Sequence, residues 1–173
     1  MILLTPEHIS EYITFKYNNT EWKYNVEDNN DIPKIQAEGA AKLWNILQQN
    51  DVALLADEVG MGKTYQALAV IITLWLQKPD AKILLYAPNE TVATQWINEY
   101  ETFIRYHYKF NDDKIKSSID GLPLRKAVYC ENQLELLKYV SLGWTSFFIC
   151  KTSSLSNFLS KKITQDELHN LDI

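Results

Sequence analysis

From Ile32 onward the apolar positions of the chain fall into alternating helical and extended periods. Ala40, Leu43, Trp44 and Leu47 recur on one face of a 3.6-residue repeat, which predicts a helix over residues 33–49. Residues 52–56 are short and wholly apolar, the pattern of a strand buried on both faces of a parallel sheet. Residues 63–77 are apolar nearly all round (Leu68, Ala69, Val70, Ile71, Ile72, Leu74, Trp75), which predicts a buried helix. Pro79-Asp80 turns the chain into a second buried strand at 83–87. Asn89 then caps a helix that runs to Tyr106 and turns Val92, Trp96, Tyr100, Phe103 and Ile104 inward. After a polar loop at 111–124 come a strand at 127–130, a helix at 132–140, a break at Gly143, a strand at 147–150 and a short helix at 154–159. Strands alternating with helices predict an α/β domain with a parallel sheet and right-handed crossovers, whose ligands sit at the carboxyl ends of the strands.

Residues 1–31 break this rhythm. They are rich in Asn and aromatics (Tyr12, Phe15, Tyr17, Trp22, Tyr24), and Thr5-Pro6-Glu7 reads as a helix start with Thr as cap and Pro in the first turn. They read as an appended packing segment, an amino-terminal extension of a domain at 32–173.

Composition excludes several classes. An apolar fraction of 46% with 23% charged residues is that of a globular chain rather than a disordered one. The net charge of −5 confines any nucleic-acid contact to a local patch. Cys130 and Cys150 each end an apolar run without a metal-spaced partner, and read as small buried residues of a reduced compartment. His8, His107 and His169 are scattered. The longest apolar stretch, 67–76, is too short to cross a bilayer, and the first four residues lack the basic flank of a signal peptide. A cytoplasmic protein without a membrane association is expected.

The stretch Ala53-Leu54-Leu55-Ala56-Asp57-Glu58-Val59-Gly60-Met61-Gly62-Lys63-Thr64 carries the chemistry. It orders strand, glycine-containing loop, Lys-Thr and helix as a phosphate cradle requires. Gly60 and Gly62 lack a β-carbon, so the backbone is free to curl with its N–H groups inward, beside the positive end of the helix dipole. Lys63 then reaches the β/γ-phosphates, and Thr64 offers its hydroxyl to Mg²⁺. The generic pattern begins with Gly where this chain has Asp57.

With that Asp, residues 56–64 closely resemble the nucleotide loop of the Swi/Snf-like (RapA-type) branch of superfamily-two DEAD/DEAH-box helicases. Upstream, Ile35-Gln36-Ala37-Glu38-Gly39 resembles the branch's Gln-containing adenine motif, with Gln36 lying 27 positions before Lys63. A Gln amide offers adenine both a donor and an acceptor; the same Gln also fits as a polar residue early in an amphipathic helix. Downstream, Leu85-Tyr86-Ala87-Pro88-Asn89, with Gln95-Trp96 and Glu99, resembles the second motif of the branch, which touches the nucleic-acid backbone. Residues 88–91 read equally as a helix cap, and Trp96 reads as core. Residues 148–155 resemble a later strand-plus-hydroxyl motif, whose hydroxyls serve as well to cap a following helix.

The resemblance implies an α/β fold: an incomplete P-loop NTPase (RecA-like) three-layer sandwich with a mainly parallel sheet. It implies ATP and Mg²⁺ as cofactors, held by Gln36, Asp57, Glu58, Val59, Gly60, Met61, Gly62, Lys63, Thr64 and Tyr65. Lys63 and Thr64 carry the catalytic roles, and Thr64 the metal. It implies DNA, as duplex, contacted through Pro88, Asn89, Thr91 and Ser153, and a second helicase lobe as partner.

Motors of this superfamily place an Asp-Glu pair at the end of a buried strand to hold Mg²⁺ and polarise water. Asp166-Glu167-Leu168-His169 has the letters, but Lys161-Lys162-Ile163-Thr164-Gln165 before it is no buried strand. Thr164-x-x-Glu167 reads as a capping box that opens a helix containing Leu168 and Leu171. With neither acidic motif nor second lobe, the chain reads as part of a half-motor that binds nucleotide poorly and turns it over slowly or not at all. Two functions stand at this point: the ATP-binding portion of a DNA-dependent translocase, and a non-catalytic nucleotide- or partner-binding module. A ring-forming P-loop ATPase leaves Gln36 and Asp57 unexplained.

Overall fold

A computed structural model of the chain describes residues 3–27, 31–56 and 60–156. The helices α1 (Pro6–Tyr12), α2 (Ile32–Asn50) and α3 (Lys63–Gln77) precede strand β1 (Ile83–Ala87) and helix α4 (Glu90–Tyr106). Strand β2 (Ala127–Cys130), helix α5 (Gln133–Ser141), strand β3 (Phe147–Lys151) and the short helix α6 (Ser153–Ser156) follow. The chain divides into two units, Met1–Pro79 with Glu99–Leu124, and Asp80–Asn98 with Arg125–Ile173. The capping box predicted at Thr164 and the residues Asp166, Glu167 and His169 lie outside the described residues.

In the second unit the three strands form one parallel sheet in the order β1-β3-β2, so the last strand enters between the first two. Ile83 to Ala87 pair with Phe147 to Lys151, and Ala127 to Cys130 with Phe147 to Cys150. The central strand is apolar and buried from Phe147 to Cys150, as expected of a strand covered on both faces. Cys130, Phe148 and Cys150 share one core cluster, which Val128, Leu136, Tyr139 and Val140 flank. Both cysteines are free and buried, and burial, with Cys150 alongside, pushes the Cys130 thiol up to about 12.

Two of the predicted strands differ from expectation. Residues 52–56 enter no sheet among the described residues: they run as coil, with Val52 74% and Leu54 85% exposed. An apolar run becomes a strand only where a neighbour takes up its amides and carbonyls, and no described residue bonds to this one. β1 is a strand, but among the described strands it lies at the edge of the sheet, and it is only half-buried, with Leu84 and Tyr86 exposed.

The first unit is helical. α2 buries Gln36, Ala37, Ala40, Ala41 and Trp44, a stripe of mostly small residues that permits close packing against α3. Leu43 and Leu47, expected on the same face, are half-buried at its margin. α3 has no exposed residue before Gln77, in keeping with its all-round apolar sequence. Of the residues expected to turn inward on α4, Tyr100, Phe103 and Ile104 are buried, whereas Val92 and Trp96 are half-buried.

The amino-terminal segment is fastened to this unit by polar contacts as well as by packing. Thr5 caps α1 in a box closed by His8, and α1 packs on α2. The Leu4 backbone exchanges two 2.8 Å hydrogen bonds with the Asn45 amide. The Tyr12 hydroxyl donates to Thr73 Oγ1 at 2.8 Å, and the Thr73 hydroxyl donates in turn to the Ala69 carbonyl. Lys109 donates from Nζ to the Ser10 and Trp22 carbonyls. Ile9, Ile13, Phe15 and Trp22 are all buried.

His107 sits where this segment meets α4. Its ring stacks on Phe103 at 5.3 Å and meets Tyr65 edge-on at 4.7 Å. Its Nδ1 lies 2.8 Å from the Thr14 carbonyl, which only accepts, so Nδ1 carries the proton. Nε2 is buried with no hydrogen-bond partner among the described residues. Burial therefore holds the imidazole pKa below its ordinary value, against the opposing Thr14 bond. The unfolded chain takes up a proton that the folded chain refuses, so stability falls as pH drops below about 6.5 toward the lowered value. Urea unfolding between pH 7.5 and 5 should show this loss, with a slope of up to about 1.4 kcal/mol per pH unit for one proton. His107→Gln, which keeps a donor and does not titrate, should flatten that part of the profile; an unchanged profile refutes the assignment.

Candidate functional site

The loop before α3 is described from Gly60. Gly60 has φ 90° and Gly62 φ 72°, left-handed backbone that a β-carbon disfavours. Gly62 is the residue that opens α3, and having no side chain it provides no cap to the first turn. The amides that begin α3 therefore stand at the positive end of a 15-residue helix dipole without a capping oxygen from their N-cap residue. Lys63 and Thr64 are the first two residues of the helix, both half-buried. Asp57, Glu58 and Val59 lie outside the described residues.

The Tyr65 ring packs edge-on against Phe103 at 5.2 Å and against His107. Burial first, and then the charge of Glu99, raise its pKa. Any part of Tyr65 in ligand binding thus belongs to its backbone, since the ring is committed to the aromatic core.

Gln36 comes to the same loop from α2. It is buried, and its Nε2 donates to the Met61 carbonyl at 3.4 Å. Sequence reasoning missed Gln66, which lies one turn into α3, is fully buried, and donates from Nε2 to the same carbonyl at 3.2 Å. The available signal was a lone amide in an otherwise apolar helix, since a buried amide needs a partner. Gly39 was legible in the same way: a glycine inside a helix costs up to about 1 kcal/mol relative to alanine, and so points to close packing.

The residues assigned to nucleic acid gather in the second unit, at the carboxyl ends of adjacent strands. Ala87 and Lys151 are register partners, and the Thr152 amide donates to the Ala87 carbonyl at 2.9 Å. Residues 88–91 and Ser153 therefore leave the sheet side by side. Pro88, Asn89, Thr91 and Ser153 are exposed. The Asn89 side chain accepts from the Val92 amide at 2.9 Å, so this residue acts as the helix cap that its position allowed. Thr91 instead lines an open surface hollow of ≈ 540 Å³ on α4, together with Glu90, Thr94, Gln95 and Asn98. The Ser154 hydroxyl donates to the Glu131 carbonyl at 2.8 Å, which ties in the end of β2.

Helices set with a small parallel sheet, and a glycine turn feeding a helix start, define a partial RecA-like α/β domain. The chain belongs to the SNF2-related domain family, whose model matches residues 21–171. It is 28% identical over 113 residues to the DNA repair and recombination protein RAD54-like of Danio rerio, covering 57% of this chain and 15% of that protein. It is 32% identical over 69 residues to the probable ATP-dependent DNA helicase CHR12 of Arabidopsis thaliana, covering 40% of this chain and 6% of that protein. With the chromodomain-helicase-DNA-binding protein 6 of Mus musculus it shares 26% identity over 102 residues, covering 59% of this chain and 4% of that protein. The chain thus spans less than a sixth of the length of these relatives. No solved structure matches it. No described helix is long and apolar enough to cross a membrane.

Proposed function

We propose that this chain is the ATP-binding portion of a DNA-dependent ATPase of the Swi/Snf-like family, which in the full-length protein couples ATP hydrolysis to movement on DNA. The observation that carries the reading is the left-handed turn at Gly60 and Gly62 leading directly into Lys63, Thr64 and an open helix start. A triphosphate fits there: the space where a β-carbon of Gly60 would stand is open, and the first-turn amides supply donors. Asp57, Glu58 and Val59 precede the turn in the sequence, and Gln36 lies close enough to it to serve the base. Lys63 neutralises phosphate charge, and the Thr64 hydroxyl is the ligand this chain offers to Mg²⁺. Bound Mg·ATP supplies the phosphoryl-transfer chemistry, while the chain binds and orients. Pro88, Asn89, Thr91 and Ser153 face the duplex, and a second lobe completes the cleft. Residues 1–31 serve as an amino-terminal extension of an ATP-binding lobe at 32–173.

Lys63→Ala tests this. In the 173-residue chain the substitution should weaken Mg·ATP binding by at least about tenfold, the loss of one charged contact. In the full-length protein it should abolish DNA-stimulated ATP hydrolysis. Retention of either activity removes the assignment.

A nucleotide-binding module without turnover is the second reading. It is favoured by the described strand ends, Ala87, Cys130 and Lys151, none of which is followed by an Asp-Glu pair. ATP binding by a full-length protein that hydrolyses none, with or without duplex DNA, selects it.

A further inference from the structure

We infer that Gln66 and Gly39 are positioning residues of the phosphate loop: they form one half of a reciprocal lock between α2 and α3 that sets the direction of the Gly62 amide. The inference rests on the reading of residues 60–65 as that loop.

Two side-chain amides from different helices meet on one backbone oxygen. Gln36 on α2 and Gln66 on α3 both donate to the Met61 carbonyl, at 3.4 and 3.2 Å. A carbonyl has two lone pairs, so both bonds can be held together. Met61 lies between the two left-handed glycines, at φ 90° and 72°. This is the part of the loop where the backbone has most freedom to rotate.

The peptide that joins Met61 to Gly62 is planar and trans, so its C=O and N–H point in opposite directions. Fastening the Met61 oxygen toward Gln36 and Gln66 aims the Gly62 N–H away from them. A freely rotating peptide would present its oxygen to a phosphate for part of the time, and that is repulsive. The lock removes this orientation.

The packing is built around the same two amides. A β-carbon on Gly62 would overlap the Gln36 amide, and one on Gly39 would overlap the Gln66 amide. Each helix thus leaves out a side chain where the other inserts its glutamine. Glycine weakens the interior of α2 and a buried amide is costly in α3; holding Met61 is the gain common to both. Gln66 is 0% exposed, so its amide cannot step aside into solvent when crowded.

A residue that aims the loop acts on phosphate and is indifferent to the base. The test uses the full 173-residue chain, Mg·ATP, Mg·GTP and inorganic tripolyphosphate, with affinities from calorimetry and melting measured without ligand. Gln66→Met keeps the side-chain length and removes the amide. It should weaken all three ligands by the same factor, about tenfold, and speed hydrogen exchange at the Gly62 amide. Gly39→Ala should reproduce that loss by displacing the Gln66 amide. The double variant should be no weaker than Gln66→Met alone, since both changes break the same bond. If Gln66→Met unfolds the chain, Gly39→Ala and the exchange measurement carry the test.

Wild-type affinity in Gln66→Met, strictly additive losses in the double variant, or a loss confined to ATP each overturn the inference. Lost ATP binding in Lys63→Ala together with an unaffected Gln66→Met removes the lock and leaves the phosphate loop standing. Absence of binding by the unchanged chain at millimolar ATP, or full binding by Lys63→Ala, removes both.

Discussion

Trp75→Ala should lower the stability of the chain by about 3–5 kcal/mol, the cost of emptying a tryptophan site in a core. Trp75 lies in the last turns of α3, is 1% exposed, and meets the Tyr100 ring edge-on with centroids 6.2 Å apart. Its neighbours Leu68, Ala69 and Ile72 on α3 are fully buried, and so are Phe103 and Ile104 on α4, so there is little slack with which to close the hole. Native domains hold only about 5–15 kcal/mol in total, so this one change removes a large share of it. For a chain of this size the melting temperature should fall by roughly 10 °C. Trp144 is the control. It is 66% exposed and, among the described residues, stacks on Tyr139 alone, at 5.0 Å, so Trp144→Ala should cost less than about 1 kcal/mol. Equal losses in the two variants, measured by urea unfolding, would place the core elsewhere.

The second large effect concerns ligand rather than stability. Gly62→Ala should weaken Mg·ATP binding by on the order of a hundredfold. Two costs act together. A residue with a β-carbon at φ 72° carries about 1–2 kcal/mol of left-handed strain. The new methyl also falls on the Gln36 amide and drives it from Met61, a further ~1 kcal/mol for a hydrogen bond. The loop relieves both by leaving the left-handed turn, and the amides that open α3 then lose their orientation. Since every 1.4 kcal/mol is tenfold in affinity, two to three kcal/mol is about 30- to 150-fold. Gly121→Ala is the matched comparison: φ is 70° there, but nothing lies within 4 Å of the added carbon. It should affect folding slightly and binding not at all. Wild-type affinity in Gly62→Ala would mean that the turn is not a ligand site.

Much of the fold is legible because its elements announce themselves locally. The run from Leu68 to Trp75 is apolar on every side and can only be a buried helix. The strand at 147–150 has the unbroken apolar character of a central parallel strand, and it is one. Residues 52–56 have that same character and form no strand among the described residues, because composition speaks of burial and says nothing of a partner. Position within a sheet is equally silent: Leu84 and Tyr86 look no less interior than Phe148 until the strand order puts β1 at the edge.

The candidate site divides along similar lines. A turn at Gly60 and Gly62 is written in the missing β-carbons. The pairing of Gly39 with Gln66 is not, because each residue has its meaning only in the other, and 27 positions separate them. Asn89 and Tyr65 show the converse. Their types fit a ligand site, yet the structure commits the first to a helix cap and the second to an aromatic cluster.

The open border of the sheet has a practical consequence. A half-covered outer strand, with a leucine and a tyrosine turned to water, offers itself to any second copy that drifts past in an extended register. Concentration must therefore be varied alongside nucleotide in every binding measurement made on this chain.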